Sequence, residues 1–231
     1  MHTADALHVA GDAPRFVSRG GVKLAAAIER FEVDVEGKRA LDAGASTGGF
    51  TDCLLQHGAA HVFAVDVGYG QLHERLRTDG RVSVLERTNV RHLVLDDVGG
   101  RPLPLVTVDL SFISLAAVLP ALLALAEPSA DVIALVKPQF EAGRAEASRG
   151  RGVIRDPAVW RRVLGEVAAA IDAQDAVMMG LMVSPLRGAD GNVEFLAHAR
   201  AHERGTTTVD LDAVVNDACG AGGASEADGD T

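Results

Sequence analysis

Four ionisable residues stand where a chain usually places apolar or turn residues. Lys23 opens the helical pattern of "SRGGVKLAAAI", where the helix dipole disfavours a cation. Asp109 closes the apolar run of "TVDLSF", and Lys137 closes that of "ALVKPQF". Glu194 sits near the start of another run in "GNVEFL". Pro138 forces extended backbone at Lys137 and stops strand pairing there, so this amine belongs at a strand mouth. Taken singly, each is an ordinary solvated end of a helix or strand. Two amines and two carboxylates together form a charge-balanced group able to take a proton from a hydroxyl. A lysine does so only when desolvation or a second cation favours the free amine. Lys23 is expected to act in this way on Lys137, with Asp109 and Glu194 holding the amines. Such a group titrates as a unit.

A second constellation is "LDAGASTGGF", which follows a strand pattern and opens a helix. Its glycines, Gly44, Gly48 and Gly49, allow close approach of backbone to a ligand. The spacing is G-x-x-x-G-G after an acid, Asp42, and not the G-x-G-x-x-G that aims a helix at a pyrophosphate. A zwitterionic amino-acid group suits it better, which points to S-adenosylmethionine. Asp42 with Gly44, Ala45, Ser46, Thr47, Gly48, Gly49 and Phe50 is expected to hold the methionine part. Asp66, twenty-four residues after Asp42 and followed by Val67, is expected to accept from the ribose hydroxyls. Thr88 and Asn89, in "ERTN", are expected beside the adenine, and Asp109 is counted with the cofactor as well as with the ionisable group.

With these stretches, "AVDVGYGQL", "DLSFISL" and "LVKPQFEAGR", the chain from about Phe16 to Leu196 resembles the TlyA family of ribosomal RNA 2′-O-methyltransferases, within the broader FtsJ/RrmJ-like class. That class uses a Lys-Asp-Lys-Glu tetrad, which falls here on Lys23, Asp109, Lys137 and Glu194. The resemblance implies a Rossmann-like class I fold, S-adenosylmethionine as cofactor, and cytidine riboses of small- and large-subunit rRNA as substrate. Some members carry haemolysin names, yet no membrane-spanning or pore-like segment reads from this sequence. The family usually has an N-terminal S4-type RNA-binding domain, and residues 1–15 are too short for one. Two other readings stay open at this point: a non-catalytic RNA- or ribosome-binding protein that keeps the fold, and a small-molecule O-methyltransferase. Phe112 is a candidate to flank a target base, and Arg19 and Arg144 are candidates for phosphates.

The elements that must position these groups alternate. Strand patterns at "KRALDA", "HVFAV", "VSVL", "LVTV" and "DVIALV" are separated by helical patterns, which predicts an α/β domain with a mostly parallel sheet and helices on both faces. "AVMMGLMVS" and "NVEFLAHA", joined through Asp190-Gly191, complete seven strands with the last antiparallel. A helix is expected around residues 114–126, a long loop over 139–155, and a helix after the Asp156-Pro157 cap. The organisation expected is an irregular lead-in over 1–15, a catalytic domain over 16–205, and an acidic tail over 206–231, disordered from about 219.

Composition bounds the rest. The chain has 231 residues, 48% of them hydrophobic, enough for one sizeable core. The net charge of −10 argues mildly against a nucleic-acid partner. Its distribution is uneven: six acids and no Lys or Arg fall within 206–231, so residues 1–205 carry only −4. Arg144, Arg149, Arg151 and Arg155 cluster, which allows a local basic face. Two cysteines, Cys53 and Cys219, offer no metal or disulfide framework and fit a reducing cytoplasm. The longest apolar run, Leu115–Ala126, contains Pro120 and is too short to span a bilayer.

Overall fold

The computed structural model describes residues 14–143, 146, 150–188, 190–205 and 207–223. The strands are β1 (Arg39–Ala43), β2 (His61–Val65), β3 (Val82–Leu85), β4 (Leu103–Val108), β5 (Ala126–Val136), β6 (Val177–Val183) and β7 (Phe195–Arg200). They form one sheet in the order β3-β2-β1-β4-β5-β7-β6. β1 to β5 run parallel, and β7 lies antiparallel to both β5 and β6. The direction of winding reverses between the neighbours β1 and β4. In such sheets, ligands bind outside the carboxyl ends of the strands at that reversal.

Alternation along each strand feeds two cores. Ala40, Leu105, Ile133 and Leu196 pack on one face with helices α1 (Gly20–Phe31) and α2 (Gly49–Gln56), through Leu24, Ala27, Ile28, Phe50 and Leu54. Leu41, Val106, Val132 and Phe195 pack on the other with α4 (Leu119–Leu123) and α6 (Pro157–Asp172). Two short helices complete the middle of the chain: α3 (Glu74–Arg77), and α5 (Pro138–Glu141), which starts directly after Lys137. Asp156 caps α6 as expected, its side chain accepting from Ala158 N, with Pro157 in the first turn. Gly21 has no room for a side chain because Phe16 lies where a Cβ would point, which draws the chain before α1 onto the core.

Several elements depart from the sequence expectations. The helix expected around 114–126 is a 3-10 turn at Leu115–Ala117 followed by the single-turn α4, and β5 already begins at Ala126. Pro120 removes a donor at the start of α4, and the strand claims the residues beyond it. The loop expected from residue 139 opens with α5. The acidic tail is corrected in part: Leu211–Gly223 forms a helix, α7, whose Val214, Val215 and Ala218 are buried against the α6 face of the core. Asp212 and Asp217 are exposed on this helix and Asp210 just before it, so an acidic composition coexists with an apolar stripe. Residues 1–13 and 224–231, with most of the expected lead-in and the end of the expected tail, lie outside the described residues. Among the described residues no helix is long and apolar enough to cross a membrane.

Candidate active site

Gly44, Asp66, Asp109 and Lys137 each directly follow the carboxyl end of a parallel strand: β1, β2, β4 and β5 respectively. The antiparallel β7 reaches the same edge with its first residue, Phe195 pairing with Val136, so Glu194 arrives beside Lys137 from the opposite direction. Lys23 comes from the first turns of α1 and is buried, as is Glu194. Lys23 Nζ donates to Glu194 Oε2. Lys137 Nζ lies 2.6 Å from Asp109 Oδ1 and donates to Ser111 Oγ at 3.1 Å. The four residues thus form two ion pairs. Each amine has its own carboxylate. The Glu194 carboxylate, in contact with Lys23, offsets the unfavourable helix-start position of that amine. Ser111, in the loop after β4, was not singled out from sequence; its only signal was its place in "DLSF".

Two cavities meet at this edge. One, of about 390 Å³, is lined by Gly44, Ser46, Asp66, Val67, Gln71, Thr88, Asn89, Asp109 and the loop Leu110–Ile113. The other is lined by Ser18, Arg19, Gly20, Lys23, Gly44, Ala45, Ser46, Thr47, Gly49, Phe50 and Asp109. Gly44, Ser46 and Asp109 belong to both walls. Asp109 therefore links the first cavity, the second cavity and the Lys137 amine.

The loop is built tightly. Gly44 has φ +94°, and a Cβ there would fall inside contact distance of the Asp109 carbonyl oxygen. Asp109 N in turn donates to Ala43 O at 2.9 Å. Asp66 accepts from Ser46 N at 2.8 Å and from Gly68 N at 2.7 Å, one bond on each oxygen. Each of those oxygens keeps acceptor capacity toward the cavity. Gly48, with φ +97°, faces Leu72 and Leu76 and lines neither cavity.

Asp42 is placed differently from expectation. It is fully buried beneath the loop and lines neither cavity. Its Oδ2 accepts from Thr51 Oγ1 at 2.6 Å, and its Oδ1 has no hydrogen-bond partner. Burial pushes its carboxyl up to about 7, with the Thr51 hydroxyl opposing and the Asp109 and Asp66 charges reinforcing the shift. A second carboxyl, Glu141 in α5, is also pushed by burial to about 7; its Oε1 accepts from Leu115 N at 2.8 Å and ties the end of the Asp109 loop to α5.

Among the substrate candidates, Phe112 is 90% exposed at φ +66°, with its ring 4.9 Å from that of Phe140. Arg19 is exposed at the rim of the second cavity. Arg144 lies outside the described residues.

The FtsJ-like methyltransferase family matches residues 16–201 of this sequence. The chain belongs to the FtsJ-like methyltransferase family. Its fold is accordingly the Rossmann-like methyltransferase fold, a seven-stranded sheet with one strand reversed. The 16S/23S rRNA (cytidine-2′-O)-methyltransferase TlyA of Mycobacterium tuberculosis is 53% identical over 196 residues, which is 84% of this chain and 72% of that protein. Hemolysin A of Brachyspira hyodysenteriae is 40% identical, over 80% of this chain and 76% of its own. A Streptococcus thermophilus protein of known structure that carries a hemolysin name superposes with a TM-score of 0.88 at 42% identity, covering 94% of this chain and 78% of its own.

Proposed function

We propose that this FtsJ-like chain transfers the methyl group of S-adenosylmethionine to a ribose 2′-hydroxyl of ribosomal RNA, at a cytidine, as the name of the Mycobacterium tuberculosis relative states for that protein. The observation that carries the reading is the double ion pair, Lys23–Glu194 and Lys137–Asp109, of which Lys23 and Asp109 line the walls of two cavities that share Gly44, Ser46 and Asp109.

The residues present fit the cofactor. A volume of about 390 Å³ lies within the usual range for small-ligand sites. Asp66 holds the loop through Ser46 N and Gly68 N and keeps acceptor capacity for two ribose hydroxyls. Val67, Thr88 and Asn89 line the same cavity and would face the adenine, and Gly44 and Ser46 line it and would face the methionine part. Ala45, Thr47, Gly49 and Phe50 form the adjoining wall. Asp42 and Gly48 serve from beneath, fixing the loop and the start of α2. S-adenosylmethionine supplies an electrophilic methyl group on a sulfonium.

The acceptor hydroxyl enters from the second cavity. Asp109 and Ser111 fix the direction of Lys137 Nζ, which would take the proton of the acceptor hydroxyl as the methyl group leaves the sulfonium sulfur for the hydroxyl oxygen. Lys23, oriented by Glu194, supplies positive charge at the wall of the acceptor cavity. Phe112 offers an exposed ring to a base.

Lys137→Ala tests the assignment. Methyl incorporation into ribosomal subunits is expected to fall at least ~100-fold, the lower bound for a positioned base. S-adenosylmethionine binding by calorimetry is expected to stay within a few-fold of the parent. Full activity in that variant overturns the role of Lys137. Activity confined to small hydroxyl acceptors and indifferent to salt overturns the RNA substrate.

A further inference from the structure

An acidic chain that acts on a polyanion needs cations gathered at its mouth. Two arginines meet that need in a way the tetrad does not use. Arg19 Nη2 donates to the main-chain oxygen of Arg187 at 3.1 Å, joining the start of α1 to the loop between β6 and β7 across 168 residues. Arg187 Nη1 donates to Gly191 O at 3.3 Å within its own turn. Both side chains are exposed, and neither pairs with a carboxylate among the described residues. Each guanidinium therefore keeps most of its five donors facing outward.

The supports are tied down on both sides. A Cβ on Gly49 would collide with Ser18 Oγ, so the segment bearing Arg19 rests directly on the glycine loop. The other loop is held by Gly188 N on Asn192 O and by Ser184 Oγ on Leu186 O. Gly188, next to Arg187, lies so near Glu194 that a Cβ would stand 2.6 Å from its Oε1. Buried Asn192 accepts from Ile154 N and donates to Gly152 O, which anchors the segment carrying Arg151 and Arg155 to the same loop. Arg187 is thus tethered one residue from a contact with the tetrad, and Arg19 shares a cavity wall with Lys23.

Ribose geometry makes this placement meaningful. The 2′-hydroxyl sits on the carbon next to the one that bears the 3′-phosphodiester. A ribose presented to the tetrad brings that phosphate to the rim. We propose that Arg19 and Arg187 clamp the phosphodiester flanking the target ribose. The clamp rests on the RNA 2′-O-methyltransferase reading above and says how an acidic chain holds its substrate at the reacting end. Neutralising a phosphate of single-stranded RNA displaces counterions, so each contact contributes about 0.7 to the slope of log affinity against log salt. Such contacts position the substrate and carry no sequence information.

The test uses the full chain, purified ribosomal subunits and a single-stranded oligoribonucleotide, with Arg187→Glu and Arg187→Lys. Substitution leaves the Arg187 carbonyl in place, so Arg19 keeps its anchor. For Arg187→Glu the expected result is a KM for RNA raised about 10-fold or more, with kcat changed far less, a charge-assisted contact being lost. Its salt slope is expected to be shallower by about 0.7. S-adenosylmethionine affinity stays at the parent value, and Arg187→Lys restores the slope. Parent-like KM and slope in Arg187→Glu overturn the clamp. So does a loss of cofactor affinity equal to the loss for RNA. If the parent chain itself places no methyl group on ribosomal subunits, the functional reading fails. The slope difference for the bound oligoribonucleotide then still decides the clamp.

Discussion

Replacing Asp42 by Asn gives a quantitative handle on the ground beneath the glycine loop. Asp42 is fully buried and its carboxyl is pushed from 3.8 to about 7, chiefly by desolvation. The sign follows from proton counting. Between those two values the folded state binds the proton and the unfolded state does not, so stability falls as pH rises through this window and levels off above 7. The full shift is worth about 4 kcal/mol, and about 3 kcal/mol of it develops between about pH 5 and pH 8. An Asn has no such dependence. Its amide can still accept from Thr51, while the group replacing the unpartnered Oδ1 carries a pH-independent cost of about 1–3 kcal/mol. Glu141, raised in the same direction, is common to both proteins and cancels. Urea unfolding followed by circular dichroism from pH 5 to pH 8 yields a stability difference between variant and parent. That difference is expected to move by about 3 kcal/mol in favour of Asp42→Asn on going to pH 8. Parallel curves would show that Asp42 is ionised throughout and that the desolvation argument is wrong.

Two further outcomes follow from the loop. Asp66→Ala removes the acceptor for Ser46 N and Gly68 N together with the ribose contacts, and calorimetry is expected to show S-adenosylmethionine binding weakened about 10- to 100-fold or more. Gly44→Ala places a Cβ against the Asp109 carbonyl at a left-handed backbone position, and is expected to lower unfolding free energy by about 1–3 kcal/mol while cutting methyl transfer more than cofactor binding. A fully active, fully stable Gly44→Ala protein would contradict the close approach of β1 and β4 on which the shared cavity wall depends.

The parallel strands were legible because strands buried on both faces read as apolar runs, and "HVFAV" and "DVIALV" do. The strand-end positions of Asp66, Asp109 and Lys137 followed from where those runs stop. Pairing was not legible. Lys23 and Glu194 are 171 residues apart, and nothing local in either stretch says that Lys23 meets Glu194 while Lys137 meets Asp109. Burial of Asp42 escaped for a related reason, since a carboxyl beneath a loop and one lining it have the same sequence. The break near Pro120 and the helix at Leu211–Gly223 were lost to tertiary context: β5 extends back to Ala126, and a weak apolar stripe of Val214, Val215 and Ala218 finds a core face to cover.

β7 lies between β5 and β6 in space yet follows both in the chain. During synthesis β6 emerges with no neighbour to join, and the edge of β5 stays open until Phe195–Arg200 has been made and inserted. Glu194, Asn192 and Arg187 arrive only with that last insertion. Pairing of β7 with β5 must close the long segment 137–194, while β6 and β7 are joined by the short link 184–194. Until β7 is in place the chain therefore lacks both the Lys23–Glu194 pair and the bond from Arg19 to the Arg187 carbonyl. On the proposed activity, the order of the strands makes the reacting site depend on the last strand to join the sheet.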